Sequence, residues 1–204
     1  MVPDTLSEIC LCTVQPINGT AFNIHPIVTS FSIEGGEKRV EVQPFMDGSR
    51  GIDKIPQTEV TLSFDAYTIG IGTTTGDDIS LVQHFENPNN LDVSSGPTDP
   101  ILILNSNEIK KFRVSFLFTS DTTITSAHTS PTKGVAERIT FANAVITVEN
   151  IDFRDLTKKN TYKMVVPPFD INADPNIRHE SSKDCAQATL PTLTNYTTTN
   201  KWIS

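Results

Sequence analysis

The feature that most constrains the fold of this chain is an alternation of apolar and polar residues with a period of two. It is clearest from Thr58 to Tyr67, where every second residue from Val60 to Ala66 is apolar and the residues between them are polar. Successive side chains of a β-strand point to opposite faces of a sheet, so this pattern predicts a strand with one buried and one solvated face. Similar runs cover residues 27–33, 37–45, 109–119, 138–153 and 161–166. The sequence therefore predicts a mainly β, antiparallel sandwich or barrel.

Three local signals predict how these strands are connected. Gly35-Gly36 lies between two alternating runs and predicts a β-hairpin with a glycine turn. Residues 46–56 are rich in turn-forming residues and predict a long loop. The phase of the alternation is unclear near Asn143-Ala144, so this stretch is predicted to be either one long strand or two strands with a bulge between them.

One short helix is predicted near residues 77–86. Asp77 or Asp78 can accept hydrogen bonds from the first free backbone amides of such a helix. The apolar residues from Ile79 to Phe85 then follow at helical spacing, and Pro88 stops the helix.

The two ends of the chain contain only isolated apolar residues and predict extended arms. The predicted organisation is an N-terminal arm at residues 1–26, a β domain at 27–170 and an extended C-terminal arm at 171–204.

Charge and cysteine usage narrow the class of protein. A formal net charge of −8 argues against a nucleic-acid reader, which normally carries a basic stripe. No stretch approaches the roughly 18 apolar residues of a membrane span, and the first residues lack the regions of a signal peptide. Cys10, Cys12 and Cys185 cannot all pair internally, so free thiols are expected, with a Cys10–Cys185 bridge as the alternative. We expect a soluble chain, without membrane insertion, that stays intracellular until assembly.

The residue types that carry chemistry are scattered along the chain. The histidines are His25, His84, His128 and His179. None has a Cys, Asp or Glu neighbour at metal-ligand spacing, and the motifs of hydrolases, phosphate loops and zinc proteases are missing. Asp170, Asp174 and Glu180 lack the fixed spacing and the glycine of a calcium-binding loop. We therefore predict no catalytic residue, no metal and no cofactor, and we predict that the protein is not an enzyme.

The polar faces of the predicted strands are the remaining candidate site. They fit two interpretations: the solvated outer face of an ordinary β-sandwich, or the wall of a channel formed by sheets that join edge to edge in a ring. Closing a sheet removes the exposed edges that invite aggregation. The candidate lumen-facing residues are Arg39, Glu41, Gln43, Glu59, Thr61, Ser63, Lys111, Arg113, Thr147, Glu149 and Lys163.

Three passages together resemble the tail tube protein, or major tail protein, of tailed bacterial and archaeal viruses. Residues 33–67 are similar to the family's layout of strand, Gly-Gly turn, strand, long polar loop and strand before a short helix. Residues 138–145 resemble its strand of the form aromatic-x-Asn followed by small and apolar residues, and residues 162–170 resemble a final strand with a proline-and-aspartate exit. The resemblance covers about residues 27–170 and departs from the family at the linker 87–100 and in the C-terminal arm.

The resemblance implies a structural subunit that self-assembles into stacked, hexameric rings around a bore through which the genome passes. It implies that the protein lies in the host cytoplasm before assembly and in the virion tail afterwards. There it would contact tape measure, terminator and baseplate proteins. DNA would pass transiently and without specificity, and carboxylates such as Glu41, Glu59 and Glu149 would keep phosphate from adhering. The alternatives are a tail terminator-like ring that does not polymerise, a monomeric β-sandwich binding module and a β-rich enzyme.

Overall fold

A computed structural model of the chain describes residues 9–25, 28–37, 40–54, 57–67, 85, 110–132, 134–152, 159–181 and 189–202. Within these ranges the backbone is almost entirely strand and loop. The strands are β1 (Ile9–Pro16), β2 (Phe22–Asn23), β3 (Val28–Gly35), β4 (Val40–Pro44), β5 (Arg50–Lys54), β6 (Val60–Tyr67), β7 (Lys111–Thr119), β8 (Ala136–Asp152), β9 (Lys159–Val166) and β10 (Ile177–Glu180), and the helical turn α1 is Thr198–Lys201.

Eight of these strands form one antiparallel sheet. Its order is β2-β1-β7-β8-β9-β6-β3, with β10 paired to the first half of β8, and β4 and β5 form a separate two-stranded sheet. The prediction of a mainly β, antiparallel fold is therefore confirmed. Among the described residues the sheet is not closed into a barrel, because the path ends at β3.

The large sheet is strongly curled. Four strand-to-strand steps separate β7 from β3 in the sheet order, which in a flat sheet would place them about 19 Å apart at about 4.8 Å per step. The rings of Phe31 in β3 and Phe116 in β7 nevertheless have centroids only 4.2 Å apart. The sheet therefore folds over on itself, and the main hydrophobic core lies inside the curl.

Alternate side chains of β6 and β9 point into this core. Every second residue of both strands is buried, and Phe64 stacks on Tyr162 with centroids 5.1 Å apart. Of the predicted helix only Phe85 lies among the described residues. Phe85 is in helical conformation, is 3% exposed and packs its ring edge-on against Phe112 and Tyr162. The rest of the predicted helix lies outside the described residues.

The predicted bulge is present in β8, which is one strand of 17 residues. The register of β8 against β7 shifts between Phe112 and Val114, and Asn143 has a φ of 56°. Asn tolerates this left-handed conformation better than most residues because its short polar side chain can hydrogen-bond locally. The extra residue bends the strand and divides it into a half that pairs with β10 and a half that pairs with β9.

The predicted hairpin with a glycine turn is wrong. β3 pairs with β6, and the following strand β4 pairs with β5, which lies inside the predicted loop 46–56. Gly35 and Gly36 have φ values of 87° and 72° and turn the chain out of the large sheet. The alternation correctly marked both strands, but it contains no information about which strands pair.

Both predicted terminal arms take part in the sheet. Residues 9–16 of the N-terminal region form β1, which pairs along its whole length with β7. In the C-terminal region β10 pairs with β8, and the isolated apolar residues Leu193 and Trp202 are buried. Few apolar residues are enough to hold β1 in the sheet, because β1 is covered on both sides by neighbouring strands and loops.

Candidate assembly surface

Three candidate lumen residues lie side by side in one row across the outer face of the sheet. Ser63 in β6 pairs with Lys163 in β9, and Lys163 pairs in turn with Thr147 in β8. Directly paired residues of neighbouring strands point to the same face of a sheet. Thr147 is exposed, and Ser63 and Lys163 are partly exposed.

A second row lies two residues farther along the same face. Thr61 pairs with Val165, Val165 pairs with Val145, and Val145 pairs with Lys111. The structure therefore brings Thr61, Ser63, Lys111, Thr147 and Lys163 together on one face of four strands. We call these five residues the polar patch.

The charge of the polar patch is positive, because it contains two lysines and no carboxylate. At its margin Lys159 forms an ion pair of 2.9 Å with Asp65, and both groups are partly exposed. Hydrogen bonds from Lys159 and Thr161 hold the pKa of Asp65 below its usual value. The net charge of the polar patch is therefore opposite in sign to the net charge of the whole chain.

Other candidate residues lie away from the polar patch. Gln43 is exposed on the β4–β5 hairpin, Glu59 is exposed just before β6, and Glu149 is exposed at a second irregularity of β8. Arg39 lies outside the described residues, and of Glu41 only the backbone is described.

Arg113 was predicted to lie on a solvated face, but its side chain is completely buried. Its guanidinium donates to Gln15 Oε1 at 2.5 Å, to the backbone oxygen of Asn200 at 3.2 Å and to the backbone oxygen of Pro191. Burial lowers the pKa of Arg113 to about 10. Among the described residues its hydrogen-bond acceptors are uncharged, and the carbonyls of Asn200 and Lys201 belong to the end of α1, where helices favour cations.

Arg113 is buried because residues 189–202, which we call the C-terminal segment, lie over this half of the sheet. Leu190 N donates to the backbone oxygen of His128, and Asn18 N donates to that of Leu193. Together with the loop 120–135, the C-terminal segment covers a polar layer rather than an apolar one. In that layer the Arg138–Glu180 ion pair of 2.6 Å is almost completely buried.

The sequence contains one signal for this buried layer. The outer face of β7 reads Arg113, Ser115, Leu117, so it mixes a charge with an apolar residue. Leu117 is buried against Ile124 and Ala127 of the loop 120–135 in a second, smaller core. An apolar residue within a polar face indicates that something covers the face.

The free edge of the sheet at β3 is apolar as well as uncovered. All residues of β3 after Val28 are exposed, including Ile33 at 52% and Phe31 at 36%. The β4–β5 hairpin follows, and its tip exposes Phe45 and Met46. Phe31 still packs its ring against the core residues Phe64 and Phe116, with centroids 5.5 and 4.2 Å away, whereas Ile33 lies half exposed on this last strand of the sheet.

The remaining candidate chemistry finds little support within the described residues. They contain no group of three or more His, Cys, Asp or Glu side chains arranged to hold a metal ion. The thiols of Cys10 and Cys12 are free, and Cys185 lies outside the described part of the chain. No helix in the described part is long and apolar enough to cross a membrane.

No protein-family model matches the chain, and no curated protein matches it. Eleven chains of solved structures match it, among them the following three. The first comes from the sheath–tube complex of an extracellular contractile injection system in the extended state, with a TM-score of 0.44, 11% identity and coverage of 88% of this chain and 94% of that one.

The second comes from the sheath/tube terminator of the same kind of system, with a TM-score of 0.41, 10% identity and coverage of 88% of this chain and 96% of that one. The third comes from the tube-terminating cap of an anti-feeding prophage, with a TM-score of 0.38, 9% identity and coverage of 83% and 87%. At TM-scores this low the similarity carries no argument about function.

Proposed function

We propose that this protein is a structural subunit of a virus tail tube, which assembles through the edges of its sheet into stacked rings. The observation that carries the proposal is the uncovered, apolar edge strand β3. The passages that resemble tail tube proteins include the end of this strand from Ile33, all of β6 and the exit of β9, so the proposal and the resemblance concern adjoining parts of the fold.

An edge strand such as β3 presents unpaired backbone groups and invites pairing with another chain. Proteins that stay monomeric usually protect such an edge with charge, proline or a covering loop. β3 instead exposes Phe31 and Ile33. Pairing of β3 with a strand of a second copy would continue the sheet, and repetition of that heterologous contact closes a ring when the rotation between copies permits it.

The β4–β5 hairpin supplies a second contact surface. It forms its own two-stranded sheet, separate from the large one. Val42 and Phe45 are exposed, and Met46 is fully exposed. Apolar side chains at the tip of a hairpin are suited to burial against a neighbouring subunit, and in the proposed assembly the hairpin reaches the next ring.

The polar patch faces the bore in this proposal. Its five side chains are hydrophilic and lie on the face opposite the core, as a solvated channel wall requires. The two lysines make this part of the wall attractive rather than repulsive to phosphate, so the carboxylates of Glu59 and Glu149 would have to offset them during DNA passage. Tape measure, terminator and baseplate proteins are the partners expected for such a tube in the virion.

The aromatic residues favour an assembly subunit over a monomeric binding module. A carbohydrate- or receptor-binding face would be expected to expose tryptophan or tyrosine. The single tryptophan, Trp202, is 6% exposed and Tyr162 is completely buried in the core, so among the described tyrosines and the tryptophan only Tyr67, at 39%, is exposed.

The proposal is tested by placing a charge on the free edge. Ile33→Lys should abolish ring and tube formation, because lysine is a common protection of natural edge strands. The matched control is Val135→Lys, since Val135 is exposed to a similar degree, 46%, but lies in a loop. Both variants and the unmodified chain are compared by size-exclusion chromatography and negative-stain electron microscopy, with and without the other tail proteins.

The outcomes separate the candidate functions. Tubes or stacked rings from the unmodified chain and Val135→Lys, but not from Ile33→Lys, support the tail tube. Single closed rings that never stack indicate a terminator-like ring. A chain that stays monomeric at high concentration and in the presence of initiating tail proteins refutes the proposal and favours a binding module.

A further inference from the structure

Three reactive side chains meet beneath the C-terminal segment, beside a cavity that Lys111 of the polar patch also lines. Lys201 Nζ lies 2.5 Å from Asp170 Oδ2 and 3.2 Å from Asn176 Oδ1. The side chain of Lys201 is completely buried, that of Asp170 is 8% exposed, and Asn176 is completely buried. Lys201 lies in α1, Asp170 lies in the loop after β9, and Asn176 is the residue before β10.

We infer that Lys201 and Asn176 are the two halves of an intramolecular isopeptide bond, with Asp170 as the acid–base group that forms it. A primary amine and a carboxamide can exchange to give a new amide and release ammonia. The reaction requires an amine, a carboxamide and a proton carrier in contact. The amine and the carboxamide are completely buried, and the carboxylate of Asp170 lies at the border of an open cavity. This inference does not depend on the proposed tail tube function.

The first step is proton transfer from the Lys201 ammonium to the Asp170 carboxylate. Asp170 Oδ2 accepts the hydrogen bond from Lys201 Nζ, and this bond holds the pKa of Asp170 below its usual value. The transfer is therefore unfavourable in the resting ion pair, and it is drawn forward because the departing nitrogen takes up the proton and leaves as ammonium. Asp170 Oδ1 accepts hydrogen bonds from the backbone N–H groups of Asn172 and Asp174 at 2.8 and 2.9 Å, which fixes the orientation of the carboxylate. A general base must lie within hydrogen-bond reach of the proton it removes, as Asp170 does here.

The bond changes balance without any further reagent. The lone pair of Lys201 Nζ attacks Cγ of Asn176, and the electrons of the C=O bond move to Oδ1. When the carbonyl re-forms, the Cγ–Nδ2 bond breaks. Asp170 carries the protons from Nζ to the departing nitrogen, which leaves as ammonium, and the carboxylate is regenerated. Nothing is oxidised or reduced.

Asn143 is positioned to stabilise the negative charge that develops on Asn176 Oδ1. Its Nδ2 donates to that oxygen at 2.7 Å, from the bulge of β8 where Asn143 has its left-handed conformation. Fixed donors aimed at a developing oxyanion are an effective form of catalysis. The departing nitrogen is held as well, because Asn176 Nδ2 donates to the backbone oxygen of Pro167 at 3.0 Å.

The burial of this group argues for a reaction rather than for a simple ion pair. A buried ammonium has lost the water that stabilises it, and a buried ion pair repays that loss only with good geometry. Conversion of the ammonium into an amide removes the buried charge. Fixed neighbours also react with effective concentrations far above those of free molecules. The bond would tie the C-terminal segment permanently over Arg113 and the polar layer beneath it.

Mass spectrometry of the full-length chain tests the inference. After purification and prolonged incubation in neutral and mildly alkaline buffer, the intact mass should be lower than the sequence mass by one ammonia. A tryptic digest should contain the peptide of residues 164–178 joined to the peptide of residues 184–204 through Asn176 and Lys201. Trypsin should no longer cleave after Lys201.

Three variants identify the roles. Asp170→Asn keeps both reacting groups and should abolish the joined peptide, and Asn143→Ala should slow its appearance. Lys201→Arg should abolish both the joined peptide and the mass loss. A mass loss that persists in Lys201→Arg indicates an asparagine succinimide and overturns the inference. Recovery of the two peptides only as separate species from the unmodified chain also overturns it.

Discussion

Truncation of Phe85 to alanine should be among the most damaging single substitutions in the chain. Phe85 is 3% exposed, and its ring lies 5.5 Å from that of Phe112 and 5.3 Å from that of Tyr162. It also lies 6.2 Å from the rings of Phe22 and Phe64, so it is the point where aromatic residues of four strands meet.

The expected cost follows from this packing. Phe→Ala in a core removes about 3–5 kcal/mol of stability, and each aromatic pair adds about 0.5–1.5 kcal/mol beyond buried area. We expect a loss of about 4 kcal/mol for Phe85→Ala. At about 2–4 °C per kcal/mol for a chain of this size, the melting temperature should fall by about 8–16 °C.

Guanidinium denaturation measures the loss directly, because the buried Trp202 is a single fluorescent reporter, with far-UV circular dichroism as a second probe. The matched control is Phe118→Ala, since Phe118 is 36% exposed at the end of β7 and should cost about 1 kcal/mol or less. If Phe85→Ala loses less than Phe118→Ala, the placement of Phe85 in the core is refuted.

Three further predictions test the described structure. Burial lowers the pKa of His128 well below its usual value, so only the unfolded chain takes up this proton as the pH falls below about 6.5. The free energy of unfolding should therefore fall by up to about 1.4 kcal/mol per pH unit in that range. His128→Gln should flatten that part of the stability–pH curve, and an unchanged slope would contradict the prediction. Gly35→Ala should lower the free energy of unfolding by about 2 kcal/mol or more in chemical denaturation, because Gly35 combines a φ of 87° with close approach to the backbone of β6. The control Gly48→Ala should cost about 1 kcal/mol, because Gly48 has a φ of 82° but open space around it. Equal losses would show that the close approach is unimportant. The Asp65–Lys159 pair is partly exposed, so Asp65→Asn should lower the free energy of unfolding by about 1 kcal/mol or less, and this loss should shrink in high salt. A larger loss that does not depend on salt would refute a surface ion pair.

The strands themselves were predictable because their signal is local. In β6 each apolar residue from Val60 to Ala66 marks the buried face by its own position in the alternation, and Tyr162, Met164 and Val166 do the same in β9. The bulge at Asn143 was predictable for the same reason, since a change of phase within one strand is visible in the sequence.

Strand pairing was not predictable, because it depends on residues far apart in the chain. Gly35-Gly36 is compatible with a hairpin turn or with an exit from the sheet, and only the pairing of β3 with β6 decides between them. The exposure of Ile33 follows from the same fact, since an apolar residue on the last strand of a sheet lacks a neighbour to cover it.

By itself, the sequence determined that this chain forms antiparallel strands with one apolar face and that its chemistry does not follow a known catalytic motif. Only the tertiary structure decided which polar residues meet water. Lys111 and Arg113 are two positions apart on the same strand, yet one is exposed and the other is buried beneath residues nearly ninety positions later in the chain. The same long-range packing brings Lys201, Asp170 and Asn176 into contact. Periodicity reports the direction of a side chain from its own strand, whereas burial depends on what the rest of the chain places over it.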